Sequence, residues 1–266
     1  MKIHYMSDLH LEQGRSPKLK NIPSGDVLLL AGDIISTKAL KLSQSRRDSA
    51  DELFAEFKKN FLDVYVIMGN HEHYGGDFLE SYARFEELYK KHRFVFLEND
   101  CEPFADGWRI WGGTLWTDYN NGEFIPMHAA NDCMMDHAVV SYGPDELFTP
   151  QRALEANKRA IITLRASLKE YRNDQFVVMS HHTPSMKCGH EKWGGAHNVI
   201  NYAFHNNGLD NLIGYSDQIK YWVAGHTHDP IDTKIGDCRV MINPHGYSGP
   251  EDNNGFDVNA NFVLEV

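Results

Sequence analysis

Aspartates and histidines recur at short spacings directly after apolar runs in this chain. Asp8 and His10 stand in "YMSDLHLE", Asp33 in "LLLAGD", Asn70 and His71 in "VIMGNHEHY", His181 and His182 in "VVMSHHTP", and His226 and His228 in "WVAGHTHD". A carboxylate has two oxygens and can bridge two cations, imidazole nitrogen gives the directional bond that transition metals favour over calcium, and Asn70 offers a neutral carbonyl oxygen. Residues two apart in an extended segment point the same way, so Asp8 with His10, and His226 with His228, are expected to address neighbouring ions. Taken singly, each has an ordinary alternative. Asp8 could be a helix N-cap, Asp33 or "GNHE" a turn, and a lone histidine a hydrogen-bonded core group. Five such sets, each closing an apolar run, favour one shared metal site.

The elements that must position these residues follow from the runs themselves. Ile3 to Met6, Val27 to Ala31, Val64 to Met68, Phe176 to Met179 and Tyr221 to Ala224 are short and nearly continuous in apolar residues, as suits strands covered on both faces. Helix-like stretches separate them: Ala39 to Lys59, Phe78 to His92, and Gln151 to Tyr171. In the last, Leu154, Ile161, Leu164 and Leu168 keep helical spacing behind Pro150. In a wound α/β sheet the carboxyl ends of strands face one crevice, so the five ligand sets should converge. Phe94 to Tyr119, and Ile231 to the C-terminus with a hairpin turn at Gly236 and Asp237, read as antiparallel β. Residues 120–149 and 184–202 are weakly patterned and are expected to be cap or loop segments over the site. One domain over 1–266 is expected.

Composition narrows the function classes. The formal charge is −11, from 26 Lys+Arg against 37 Asp+Glu, which disfavours a long basic track for duplex nucleic acid. The four cysteines form no Cys-x-x-Cys pair, so neither a zinc knuckle nor a redox motif is indicated, and a reducing compartment fits best. Without a signal-like N-terminal segment or an apolar stretch near bilayer length, a soluble cytoplasmic protein with no membrane partner is expected.

The ordered motifs resemble those of the calcineurin-like metallophosphoesterases: Asp8-Leu9-His10, Gly32-Asp33, Gly69-Asn70-His71-Glu72, His181, and Gly225-His226-Thr227-His228. "FLEND", "GGTLWTDY", "HHTPS", "WVAGHTHD" and "INPHGY" extend the similarity to a bacterial and phage group of such enzymes over nearly the whole chain. The resemblance implies a four-layer α/β/β/α sandwich with two mixed sheets flanked by helices. It also implies two divalent cations, one held by Asp8, His10 and His228 and the other by Asn70, His181 and His226, with Asp33 bridging both. His71 would be the non-ligand histidine facing substrate. Of the adjacent pair, His181 is taken as the ligand because it follows the strand directly.

The expected chemistry is hydrolysis of a phosphoester by a metal-bridging hydroxide, with His71 stabilising charge or protonating the leaving oxygen. A donor set of nitrogen and oxygen without thiolate suits manganese, which is favoured, and also iron, zinc or nickel. His73, Tyr74, His182 and Trp193 lie beside motifs or in irregular segments and are candidate substrate contacts, since aromatics near a phosphate site can stack a base. A small nucleotide or similar phosphoester is the expected substrate. A nuclease acting on short or single-stranded nucleic acid, and a non-catalytic scaffold, are the competing readings.

Overall fold

A computed structural model describes residues 1–14, 19–189, 191–214, 216–249 and 254–265. The strands are β1 (Lys2–Met6), β2 (Gly25–Ala31), β3 (Phe61–Ile67), β4 (Val95–Phe96), β5 (Asp100–Ala105), β6 (Trp108–Gly113), β7 (Gln175–Ser180), β8 (Ile219–Ala224), β9 (Ile231–Ile235), β10 (Cys238–Ile242) and β11 (Asn261–Val263). The helices are α1 (Thr37–Leu42), α2 (Gln44–Asn60), α3 (Phe78–Lys91), α4 (Tyr119–Gly122), α5 (Phe124–Cys133), α6 (Asp136–Val139), α7 (Pro150–Glu170) and α8 (Asp210–Gly214).

Two mixed sheets face each other. One runs β11-β1-β2-β3-β4, with only β11 antiparallel to its neighbour; the other runs β5-β6-β7-β8-β10-β9, with antiparallel edges at β5 and β9. The period of two along each strand sorts its side chains into layers. In β2, Val27 and Leu29 point inward to meet Ile110, Val177, Met179 and Met241 of the second sheet. Leu28 and Leu30 point outward to Leu53, Phe54 and Phe57 of α2. On the far side, Trp111, Phe176, Val178 and Trp222 pack against Leu164 and Leu168 of α7. Buried helix, sheet, sheet and helix layers make the four-layer sandwich, and truncating a fully buried ring such as Phe54 to alanine costs about 3–5 kcal/mol.

Two element expectations are corrected. The single helix over Ala39 to Lys59 is broken at Ser43, whose backbone is extended and whose hydroxyl accepts from the Arg46 amide at 3.3 Å, so that it caps α2 and ends α1. The β zone over Phe94 to Tyr119 is split between sheets: β4 pairs in parallel with β3, and only β5 and β6 form an antiparallel pair. The hairpin at Gly236 and Asp237 joins β9 to β10 as expected.

The weakly patterned segments hold short helices. Residues 119–139 form α4, α5 and α6, and residues 186–188 and 191–203 form 3-10 turns. A separate cluster lies beneath them, with Phe78, Trp116, Tyr119, Met127, Val140 and Phe148 buried together.

Candidate metal centre and active-site cleft

Each ligand set sits on the loop leaving a strand: Asp8 after β1, Asp33 after β2, Asn70 and His71 after β3, His181 after β7, and His226 with His228 after β8. The first three strands belong to one sheet and the last two to the other. Backbone bonds join neighbouring loops within each sheet, the Asp8 amide donating to Gly32 O (3.0 Å) and the Gly225 amide to His181 O (2.9 Å), while a side-chain acceptor joins the two sheets. The His226 amide donates to the Asp8 carboxylate at 3.0 Å.

Asp8, His10, Asp33, His226 and His228 all adopt positive φ, between 45° and 73°. This corrects the expectation of extended pairs, for a left-handed residue turns the chain sharply just past the strand. Non-glycine residues held in this region cost free energy and concentrate at functional sites. The outcome is still that His226 and His228 reach different groups, the first near Asp33 and His181, the second near Asp8 and His10. Gly69 shows how closely the loops approach, since a Cβ there would lie 2.1 Å from Asp33 Oδ1.

Three sets of ligand atoms converge, each within 4.8 Å: Asp8, His10 and His228; Asp33, His181 and His226; and His10, Asp33 and His71. Asp33 Oδ2 lies 3.3 Å from His181 Nε2 and 3.9 Å from His10 Nε2, which puts one carboxylate between the first two sets. Asn70 joins the second set, its Oδ1 3.0 Å from His181 Nε2. These groups are buried, with Asp8 and His181 at 0% exposure.

The donor set fits cations. His181 Nδ1–H donates to Ala31 O (2.9 Å), which leaves the Nε2 lone pair aimed inward. His10 Nε2 and His228 Nε2 stand 3.1 Å apart, two imidazole nitrogens turned toward one point. His226 Nε2 is buried with no hydrogen-bond partner among the described residues. A shared cation satisfies nitrogens arranged in this way.

His71 faces the cleft at 15% side-chain exposure. Its amide donates to Asp33 Oδ1 (2.9 Å), its ring stacks on Tyr74 at 4.1 Å between centroids, and its Nε2 lies 3.3 Å from the Tyr247 hydroxyl. Burial alone would lower its pKa, but the Asp33 charge and the Glu12 hydrogen bond outweigh it and lift the imidazole to about 9.

Four polar residues to which the motifs assigned no role hold this arrangement. Glu12 Oε1 accepts from Nδ1 of both His10 and His71 at 3.0 Å, which fixes the proton on Nδ1 in each ring. Burial opposes its charge, yet the two imidazole hydrogen bonds hold its carboxyl down at about 2. Glu72, inside "GNHE", accepts from the amides of Asp33 (3.0 Å), Ile34 (2.7 Å) and Gly69 (2.7 Å), and so ties two ligand loops together. Asp136, from the cap, accepts from Asn70 Nδ2 at 2.8 Å and from the Tyr74 hydroxyl at 3.3 Å. Tyr247, in "INPHGY", lays its ring beside those of His10 (4.5 Å) and His228 (4.6 Å). A glutamate two residues past a ligand histidine was a readable signal for Glu12; Asp136 lies 66 positions from Asn70 and had none.

The four candidate substrate contacts separate. Tyr74 and Trp193 line a cleft of about 540 Å³ beside the centre, together with Met134, Met135, Ile200 and Phe204. Trp193 is 52% exposed, its indole N–H donating to Asp229 Oδ2 at 2.8 Å. His73 is a correction: it is fully buried, stacked on Phe78 at 4.7 Å and edge-on to Tyr82, away from the cleft. Burial holds its pKa down at about 3, so it is a neutral core ring. His182 is also withdrawn from the cleft, at 2% exposure, with its ring 4.2 Å from His226 and 5.1 Å from Trp116. It supports the loop behind His226.

The model of the calcineurin-like phosphoesterase family matches residues 1–230, and the chain belongs to that family. It is a metallophosphoesterase, an enzyme that hydrolyses phosphoric esters. No curated protein matches it in sequence. Among solved structures it is similar to the phosphopantetheinyl hydrolase from Mycobacterium tuberculosis, at 18% identity and a TM-score of 0.69, over 92% of this chain and 89% of that one. It is also similar to a protein assigned as a 5′-nucleotidase from Staphylococcus aureus, at 14% identity and a TM-score of 0.52, over 91% of this chain and 48% of that one. Among the described residues no helix is long and apolar enough to cross a membrane.

Proposed function

We propose that the chain is a phosphodiesterase or phosphatase using two divalent cations, manganese first, on a small nucleotide or similar phosphoester. The observation that carries this reading is Asp33 Oδ2, within 3.3 Å of His181 Nε2 and 3.9 Å of His10 Nε2, between two otherwise separate ligand sets. Asp8, His10 and His228 would hold one cation, and Asn70, His181 and His226 the other, with Asp33 reaching both. When bound, such cations supply Lewis-acid stabilisation of phosphoryl charge and a water of lowered pKa.

The chain's own groups do the rest. Glu12 keeps the proton of His71 on Nδ1, so that a second proton sits on Nε2, on the side of the Tyr247 hydroxyl. From there His71 donates to the departing oxygen as general acid. Tyr74 stacks against the imidazole and, through Asp136, shares a partner with Asn70, which keeps acid and ligand in register. The two neighbours in the fold are named as a phosphopantetheinyl hydrolase and, by assignment, a 5′-nucleotidase. Both are compatible with a small substrate here.

Two neighbouring manganese ions have a spectroscopic signature of their own. Metal-stripped protein refilled with manganese should show a spin-coupled pair by electron paramagnetic resonance. Asp33→Asn should show isolated or no manganese and background turnover, since an amide cannot bridge as a carboxylate does. A spectrum of isolated ions in the wild type would reduce the site to one metal.

A further inference from the structure

Two clefts, not one, open on the acid. The first is the apolar cleft of about 540 Å³ already described. The second, of about 530 Å³, is lined by Gln13, Ser36, Lys38 and Arg46 and shares His71, Tyr74 and Tyr247 with the first. Beyond that common wall the two draw on different elements: the loop after α5 and the 3-10 turns for the first, the starts of α1 and α2 for the second.

Their chemistry differs as well. Among the described residues the lining of the apolar cleft includes no lysine or arginine. The second cleft has both, in a chain whose net charge is −11. Neither Lys38 nor Arg46 has an ion-pair partner among the described residues, in contrast to Arg109, Arg152 and Arg239, each paired with a carboxylate. The carboxylate on this wall, Glu12, turns Oε1 to His10 and His71. Both residues line the cleft that also contains His71. The Lys38 amide donates to Tyr74 O (2.8 Å), and the Arg46 guanidinium covers Gly14, where an added Cβ would lie 2.5 Å from a guanidinium nitrogen.

A phosphomonoester has one organic substituent and needs one cleft. A centre at the junction of two clefts suits a phosphorus that carries two.

We propose that the substrate is an unsymmetrical phosphodiester, with an uncharged flat or apolar arm in the first cleft and a phosphate-bearing arm in the second, held by Lys38 and Arg46. The guanidinium fork matches a phosphate bidentately and the ammonium adds a point charge. This rests on phosphoester hydrolysis at the strand-end centre. In the step, water forms the new P–O bond and the P–O bond to the uncharged arm breaks. His71 protonates the departing oxygen and is reprotonated by the proton the water loses. The products are a free alcohol and a phosphomonoester of the charged arm.

A matched pair of chromogenic probes tests it: the p-nitrophenyl ester of thymidine 5′-phosphate with and without a 3′-phosphate. Wild-type protein refilled with manganese should show a KM about tenfold lower for the 3′-phosphorylated probe, the value of one charge-assisted contact. In Lys38→Ala/Arg46→Ala that advantage should fall to within about twofold of parity. Calorimetry with thymidine 3′,5′-bisphosphate against thymidine 5′-phosphate should show the same preference, and the same loss, without turnover. Equal KM values in the wild type, or an advantage that survives the double variant, overturn the second subsite while leaving phosphoester hydrolysis standing. No turnover of either probe, with metal bound, overturns both.

Discussion

The candidate metal centre and the helix-and-turn cap proposed to cover it are built by opposite means. At the centre, side chains from five strand-end loops meet within a few residues of the strands that carry them, under 0–7% exposure for Asp8, His10, Asp33, Asn70, His181 and His226. In the cap, residues 119–149, 186–189 and 191–203 are short helices and turns whose contributions to the cleft, Met134, Met135, Trp193 and Ile200, stand on no sheet. Asp136 links the two regions by bonding to Asn70 and Tyr74 at once. On the proposed function the contrast becomes a division of labour, in which rigid sheet ends would fix where the phosphorus sits and the helix-and-turn segments would select what it carries.

The largest expected effect that separates the regions is at His71. His71→Ala should lower kcat by about 10²–10⁴-fold while metal content stays at the wild-type level. Metal analysis beside initial rates checks this, and full activity in the variant would remove His71 from the chemistry. Next comes the link. Asp136→Ala should weaken metal affinity by about 10–100-fold, because Asn70 loses the acceptor that fixes its amide, and Asp136→Asn, which keeps an oxygen there, should recover most of it. An unchanged affinity in Asp136→Ala would make the cap independent of the centre.

Within the cap alone, Trp193→Ala should raise KM about tenfold and leave kcat nearly unchanged, as a stacking contact equal in ground and transition states would. Steady-state kinetics on an aryl phosphodiester reads the split. The smallest effect concerns Glu98, which lies beside Thr114 near the aromatic cluster beneath the cap. Burial raises its pKa from 4.5 to about 8, against the Thr114 hydrogen bond at 3.1 Å. Its folded state therefore holds the proton that the unfolded chain has already lost. Stability should fall as pH rises from about 4.5 toward 8. Glu98→Gln should flatten that slope, seen as a smaller difference in Tm between pH 5 and pH 8; an identical slope would place the proton elsewhere.

The same division explains what could be read from the sequence. The five apolar runs, the convergence of the Asp and His residues closing them and the hairpin at Gly236 were legible because strand pattern and residue type are local. The helix break at Ser43 was not, since it turns on one hydroxyl competing for the Arg46 amide. His73 and His182 looked like substrate contacts because they neighbour ligands in sequence, whereas the turn after β3 and the loop after β7 send them into the core. Asp136 and the apolar wall come from segments without periodicity, brought to the centre only by packing of the cap on α7 and Trp116.

The central proposal, as the two clefts sharpen it, is that a metal-loaded strand-end centre cleaves phosphodiesters in preference to monoesters. The most direct measurement is turnover of bis(p-nitrophenyl) phosphate, against p-nitrophenyl phosphate, by metal-stripped protein before and after refilling with manganese. The account predicts no turnover before, and diester cleavage outpacing monoester cleavage after. Turnover of the monoester alone, or silence on both with metal bound, would contradict it.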